Sequence, residues 1–270
     1  MSSKVNMVSK LTKKEGKLLI GMVHLLPLPG APLFRGDFRK VVEAALEDAL
    51  ALIEGGADAV IVENYGDIPY YVRHIPIITT VAMEHIIDAI KSRLGNDFPL
   101  GINVQFDAYE AELALAAISQ AAFIRVEGFV DTLIADTGLV MPCAAEVTRL
   151  RRNLSIENVQ IWADVQVKET QVLGTRTIVE SAKSAVKNLA DVIIVTGAAT
   201  GSSPAVEIVK TIRDAVSVPI IVGSGVNATN APQLLRYADG AIVGTSLKEK
   251  GRVSRRRVRE LQKIFKDLGG

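Results

Sequence analysis

Short, unbroken apolar runs alternate along this chain with longer stretches in which apolar residues recur every three or four positions. The runs fall at Leu18–His24, Ala59–Glu63, Leu100–Val104, Phe123–Val126, Gln160–Val165, Val192–Thr196, Pro219–Gly223 and Ala241–Thr245. They are rich in Val and Ile and apolar on both faces, the pattern of parallel strands covered by helices. Between them lie helical stripes such as Val41, Ala45, Leu46, Ala49, Leu52 and Ile53, and finally Val258, Leu261, Phe265 and Leu268. Gly55-Gly56 reads as a helix stop, because glycine takes the left-handed cap without strain. Eight strand–helix units in about 250 residues predict an α/β fold, a closed (β/α)8 TIM barrel. The barrel is expected over residues 18–268 as one domain, with residues 1–17 a flexible polar tail. An open doubly wound sheet would need a dinucleotide glycine loop after an early strand, and none follows the first or second.

Composition narrows the function classes. Of the 270 residues 49% are hydrophobic, which excludes a disordered chain. Lys plus Arg is 31 against 30 for Asp plus Glu, a near-neutral balance that argues against general nucleic-acid binding, so no nucleic acid is expected as a partner. A lone cysteine, Cys143, excludes an internal disulfide framework and a multi-cysteine zinc site. The uncharged stretch Ala215 to Leu235 contains Pro219, Gly223, Gly225, Asn227 and Pro232, which rule out a spanning helix. The lysines before Leu18–Leu26 imitate a secretory signal, but His24, Pro27 and Pro29 fit a buried strand ending in a loop. A cytoplasmic protein without an integral membrane segment is expected. The cation-dense segment Lys248–Arg259 reads as the solvated face of the last helix; peripheral contact with an anionic membrane is the alternative. Loops carrying Leu33, Phe34, Tyr70, Tyr71 and Ile75 are candidates for a lid or for the contact of a homo-oligomer.

In a parallel barrel chemistry gathers at the C-terminal strand ends. The last three carry Thr200-Gly201, Gly223-Ser224-Gly225 and Gly244-Thr245-Ser246. Glycine lets an anion approach backbone amides, and hydroxyls add donors, so a phosphate is expected against the loops near Gly225 and Thr245. Earlier strands end in His24, Glu63, Asn64, Asn103, Arg125, Asp164 and Lys168. Charged groups are rarely buried unless paired, and their convergence on one mouth describes an active site. Glu63 or Asp164 is the candidate general base, with its pKa raised by the apolar wall. His24 is the candidate proton shuttle near neutral pH. Arg125 is the candidate anion clamp, with Asn103 beside it, and Lys168 becomes a Schiff-base candidate if it points inward. No cofactor is expected. A divalent metal on His24, Glu63 and Asp164 is conceivable but has no spacing motif behind it.

These residues stand in segments that resemble the BtpA family. Gly21-Met22-Val23-His24-Leu25-Leu26-Pro27-Leu28-Pro29 is similar to its N-terminal signature. Ile61-Val62-Glu63-Asn64, Leu100-Gly101-Ile102-Asn103-Val104, Phe123-Ile124-Arg125-Val126, Asp136-Thr137-Gly138-Leu139 and Ala163-Asp164-Val165 follow in order. Thr200-Gly201-Ser202, Gly223-Ser224-Gly225 and Ala238-Asp239-Gly240 through Ser246-Leu247-Lys248 complete the series. The resemblance implies a barrel of the ribulose-phosphate-binding kind. In cyanobacteria the family is named for photosystem I biogenesis, as a protein peripheral to the thylakoid membrane; related bacterial members carry a nucleosidase label. The chain departs from the usual pattern at Gln105-Phe106-Asp107, where Leu-Arg-Asn-Asp is common, and at Glu169, where His is common. Both departures fall at the mouth. The expectation is an enzyme acting on a small phosphorylated or nucleoside-like metabolite. The alternatives are a non-catalytic biogenesis factor for a membrane complex and a metabolite sensor.

Overall fold

Each of the eight apolar runs forms a strand in the computed structural model, which describes residues 16–95 and 97–268. The strands and helices, in chain order, are β1 (Leu18–His24), α1 (Phe38–Glu54), β2 (Ala59–Glu63), α2 (Ile77–Leu94), β3 (Leu100–Asn103), α3 (Tyr109–Ser119) and β4 (Phe123–Val126). A hairpin, β5 (Leu133–Ala135) and β6 (Gly138–Val140), precedes α4 (Ala144–Asn153), β7 (Gln160–Val165), β8 (Gln171–Val172) and α5 (Ile178–Lys187). Then come β9 (Val192–Val195), α6 (Val206–Ala215), β10 (Ile220–Val222), α7 (Ala231–Leu234) and β11 (Gly240–Val243). A 3-10 turn at Thr245–Leu247, the ribbon β12 (Lys248–Glu249) with β13 (Arg252–Val253), and α8 (Arg255–Asp267) end the fold. The barrel closes in the order β1-β11-β10-β9-β7-β4-β3-β2, all parallel.

Strand ends differ from the sequence pattern by a residue or two, for local reasons. Pro219 has no N–H to give the ladder and offers only its carbonyl, to Ile193 N, so β10 begins at Ile220. Gly244 opens the 3-10 turn, so β11 ends at Val243. Of the expected tail, residues 1–15 lie outside the described residues, and Lys17 N already donates to Phe265 O on α8. Among the described residues no helix is long and apolar enough to cross a membrane.

Side chains alternate in and out along each strand, and this divides the core in two. Outward residues such as Leu19, Val60, Ile102, Ile161 and Ile193 pack under the helices. Inward residues Leu18, Ile20, Met22, Ala59, Ile61, Phe123, Trp162, Val192, Ile194, Ile221 and Ile242 fill the lower barrel. Phe123 and Trp162 stack there with centroids 3.8 Å apart. Gly101 makes room for them, since a Cβ at that position would stand 2.2 Å from the Phe123 ring.

Over the mouth, β6, β5 and β8 form a small antiparallel sheet. Phe106, Leu133, Val140 and Val167 make its separate apolar core, with Tyr70 and Val72 packed against it. Of the loop residues that are candidates for a lid or an oligomer contact, Leu33 and Tyr71 are exposed. Phe34 and Ile75 instead pack on the main core, and Tyr70 belongs to this lid.

Phe123 is clamped by Trp162 and cannot give way, so Gly101→Ala overpacks the barrel. We expect a loss of roughly 1–3 kcal/mol in stability, read as a lower midpoint in chemical denaturation with an unchanged slope.

Candidate functional site

Above the apolar floor, the next inward residue on successive strands is His24, Glu63, Asn103, Arg125, Asp164, Thr196, Gly223 and Gly244. Strand register places His24 beside Glu63 and Glu63 beside Asn103. Two connected cavities open over this layer. A narrow one of about 170 Å³ is bordered by His24, Glu63, Arg125 and Lys168 on one side. Thr200, Gly201, Gly223, Ser224, Gly225, Gly244, Thr245 and Ser246 border its other side. A wider chamber of about 560 Å³ shares Glu63, Arg125, Lys168 and Thr200 with it and runs under the lid. Tyr65, Tyr70, Phe106, Glu127 and Asp136 line that chamber.

Three of the expected site residues do not face the narrow cavity. Asp164 Oδ2 accepts from Arg125 Nε at 2.8 Å and Oδ1 from Arg125 Nη2 at 3.1 Å, with both side chains buried. A carboxylate bound at both oxygens by a guanidinium is a poor base, so the expected basic role of Asp164 is corrected to neutralising Arg125. The trio His24, Glu63 and Asp164 is therefore not assembled as three open ligands. Among the described residues, no cluster of three or more His, Cys, Asp or Glu could hold a metal ion. Asn103 is fully buried and donates from Nδ2 to Glu127 Oε1 at 2.7 Å and to Arg125 O at 3.2 Å. Asn64 accepts from Gln105 N at 2.7 Å and fixes the β3 loop; it lines a side pocket with Asp67. These two act through other residues.

The Asn103 neighbourhood holds acids that sequence reasoning did not assign. Glu112 on α3 accepts from Val104 N at 2.8 Å, and Glu127 Oε2 accepts from Asp107 N at 3.2 Å. Burial pushes the Glu127 carboxyl up to about 8 and that of Glu112 well above its usual range. Glu127 was visible as an inward residue two after Arg125. Glu112 sits on a helix, where nothing in the local pattern marks a residue that turns inward to the strand loops.

His24 is not the neutral-pH shuttle its residue type suggested. Burial, opposed in part by Glu63 and aided by Lys248, lowers its pKa to about 4. Its ring stacks on Tyr65 with centroids 4.4 Å apart, and Lys248 Nζ lies 2.9 Å from Nδ1. An ammonium only donates, so Nδ1 accepts and the neutral ring carries its proton on Nε2. Gly244 leaves space for that edge: a Cβ there would sit 2.8 Å from Cε1 and 3.3 Å from Nε2. The result is a fixed neutral N–H donor at the narrow cavity.

The glycine loops differ from expectation in which atoms are free. Ser224 Oγ accepts from Gly197 N at 2.9 Å and donates to Ser202 O at 2.7 Å. Ser246 Oγ donates to Val226 O at 2.7 Å. Both hydroxyls tie neighbouring loops together, so the donors left to an anion are backbone amides and the hydroxyls of Thr200 and Thr245. Gly225 has φ +70°, and a Cβ on it would stand 2.2 Å from Ser203 N. The first amides of the turn at Thr245–Leu247 have no partner within it. Loop positions are set from the side: Glu169 Oε1 accepts from Thr200 N at 2.7 Å, and Thr196 Oγ1 from Lys168 N at 2.9 Å.

Arginines of the cationic segment are matched within the chain. Arg256 pairs with Glu260 at 2.7 Å and also with Glu249, Arg257 with Glu249 at 3.1 Å, and Arg252 with Asp48 at 3.3 Å.

The sequence profile of the BtpA family matches residues 15–267. The chain belongs to the BtpA family. A Synechocystis relative called photosystem I biogenesis protein BtpA is 38% identical over 87% of this chain and 82% of its own. A protein of unassigned function from Thermococcus kodakarensis is 40% identical over 94% of this chain and 97% of its own. Among solved structures, thiamine phosphate pyrophosphorylase from Pyrococcus furiosus is similar with a TM-score of 0.63 and 19% identity. That likeness covers 98% of this chain and all of the other. Geranylgeranylglyceryl phosphate synthase from Thermoplasma acidophilum, solved with its substrate sn-glycerol-1-phosphate, also has a TM-score of 0.63, with 17% identity over 99% of each chain. At these identities the likeness shows the fold, a TIM barrel.

The His24 arrangement is checked by NMR. We expect the ring to hold its proton on Nε2 and to titrate near pH 4, against an ordinary value of 6.5. Replacing the neighbouring cation in Lys248→Met should move that midpoint upward. The unfolded chain protonates this histidine below about pH 6.5 while the folded one resists until about 4, so its contribution to stability is lost as pH falls through that window. A midpoint near 6.5 in the folded protein would overturn the assignment.

Proposed function

We propose that this protein is an enzyme that acts on a small phosphorylated metabolite, holding the phosphate against the amides of Gly225 and Thr245. One observation carries the reading. A narrow cavity lined by glycine loops on one side and ionisable side chains on the other opens into a larger chamber partly covered by a lid. The loops after the last two barrel strands are the recurrent phosphate site of this fold. The complex of the Thermoplasma synthase with sn-glycerol-1-phosphate supports a phosphate monoester as the ligand type.

Roles follow from what each side chain is free to do. Glu63 is held at one oxygen by Gln105 Nε2 at 3.2 Å and faces both cavities, which fits a general acid or base. His24 offers its Nε2–H to the substrate's anionic end. Arg125, oriented by Asp164, contributes a fixed positive dipole rather than a mobile clamp. Tyr65, Tyr70 and Phe106 give the wide chamber a surface for the organic part of the ligand, including the planar base of a nucleotide-like substrate of nucleosidase-type chemistry. Gln105, Phe106 and Glu169, the departures from the common family pattern, all line that chamber, so the organic part is where this chain's substrate would differ from those of relatives.

The reading needs no cofactor. A pure assembly role, of the kind in the Synechocystis relative's name, gives no reason for a lidded cavity with buried ionisable walls. The same reading places the protein in the cytoplasm, with exposed Leu33 and Tyr71 available for contact between copies in a homo-oligomer.

Titration calorimetry with inorganic phosphate should show one site. Gly225→Ala, which pushes a Cβ into the facing loop, should weaken it about tenfold or more, the cost of roughly one lost charge-assisted hydrogen bond. In an unbiased metabolite screen, Glu63→Gln should cut turnover by roughly 10²–10⁴-fold while leaving phosphate binding in place. Absence of phosphate binding by the wild-type chain would overturn the reading.

A further inference from the structure

Lys168 occupies the junction of the two cavities, together with Glu63, Arg125 and Thr200. The cations around it are not equivalent. Arg125 is committed to Asp164, and Lys248 to His24 Nδ1. Lys168 Nζ makes no hydrogen bond or ion pair with any described residue, although the side chain is largely withdrawn from solvent. Its backbone is nonetheless clamped. Lys168 N donates to Thr196 Oγ1, Glu169 N donates to Ala198 O at 3.0 Å, and Thr170 Oγ1 donates to Val167 O at 2.6 Å. A fixed loop thus presents an unclaimed amine beside the anion site. Burial, reinforced by the nearby Arg125 charge, lowers the amine's pKa from its ordinary value, which enlarges the neutral, nucleophilic fraction.

We propose that Lys168 is a nucleophile that forms an imine with the carbonyl carbon of a phosphorylated aldehyde or ketone. The inference rests on the phosphate site at Gly225 and Thr245, because that site is what would place a carbonyl a few bonds from the phosphate at the junction. The step balances without an outside reagent. The neutral amine's lone pair adds to the carbonyl carbon and the C=O π pair moves to oxygen. Glu63, in the same wall, takes a proton from the nitrogen, and the alkoxide oxygen takes from solvent the one net proton that converting a neutral amine to an iminium requires, giving a carbinolamine. Glu63 then returns its proton to the hydroxyl, which leaves as water while the nitrogen lone pair closes the C=N bond. The iminium withdraws electrons from the neighbouring carbon, so the substrate class is one in which a C–H or C–C bond next to a carbonyl is made or broken.

The test is borohydride trapping on the full chain. The protein is incubated with dihydroxyacetone phosphate, glyceraldehyde 3-phosphate or ribulose 5-phosphate, reduced with sodium borohydride, and examined by intact-mass and peptide mass spectrometry. With at least one of these we expect a single adduct, mapping to Lys168 and suppressed by excess inorganic phosphate. Lys168→Met, checked for fold by circular dichroism, should lose that adduct. Absence of an adduct at Lys168 with the whole panel overturns the proposal. So does labelling scattered over surface lysines that Lys168→Met leaves unchanged. Phosphate binding by wild-type calorimetry separates the two failures: if it persists without an adduct, the imine falls and the phosphate site stands; if it is absent, both fall.

Discussion

Everything at the mouth depends on the two-residue alternation of parallel strands that close into a barrel. Closure leaves one inward side chain at every second position, and the interior must be filled as a packed core. The lower layers are filled by Phe123, Trp162, Ile20, Ile61 and Ile194, with Gly101 yielding space to the aromatic pair. Once that floor is dry and solid, the next inward position on each strand is forced to the boundary between an apolar interior and the loops. Polar residues there are held at fixed points, partly withdrawn from water, and their electrostatics become strong and directional. The chemistry is thus a consequence of register: His24, Glu63 and Asn103 are neighbours because β1, β2 and β3 are aligned that way.

Withdrawal from water also explains why so many of these groups are committed. A buried charge without a partner costs several kcal/mol, so the fold answers Arg125 with Asp164 at both oxygens. Glu112 and Glu127, close to one another and buried, have their carboxyl pKa values pushed upward by burial and by their mutual repulsion. His24 responds by staying neutral. Hydroxyls are treated alike: Ser224 and Ser246 connect loops instead of facing a ligand. Backbone amides in the glycine loops remain, and an anion meeting them would have no competing side chain to displace.

This division marks how far the sequence could be read. The barrel, its eight strands and the group of strand ends that meet were legible because period and order suffice for them. Twelve of the residues singled out at strand ends border one cavity for that reason. The roles of Asp164, Asn103 and His24 were not legible, because each depends on a partner far along the chain. Asp164 is 39 residues from Arg125 and His24 is 224 from Lys248. A residue type states which reactions a side chain could perform. Only its partners decide which of them it is free to perform, and Glu112, hidden on a helix face, shows that a partner need not lie at a strand end at all.

The same argument ranks the groups that remain. A side chain held by two strong partners contributes a fixed field; a side chain with an open atom can exchange protons or form bonds. At this mouth Arg125, Asp164 and Asn103 belong to the first kind, and His24 is fixed in place with only its Nε2–H left open. Glu63 and Lys168 belong to the second kind and stand at the one place that both cavities share. Any ligand long enough to touch the glycine loops and the lid at once must pass between them. The fixed groups therefore prepare that position, and the small sheet of β5, β6 and β8 covers part of the chamber that leads to it.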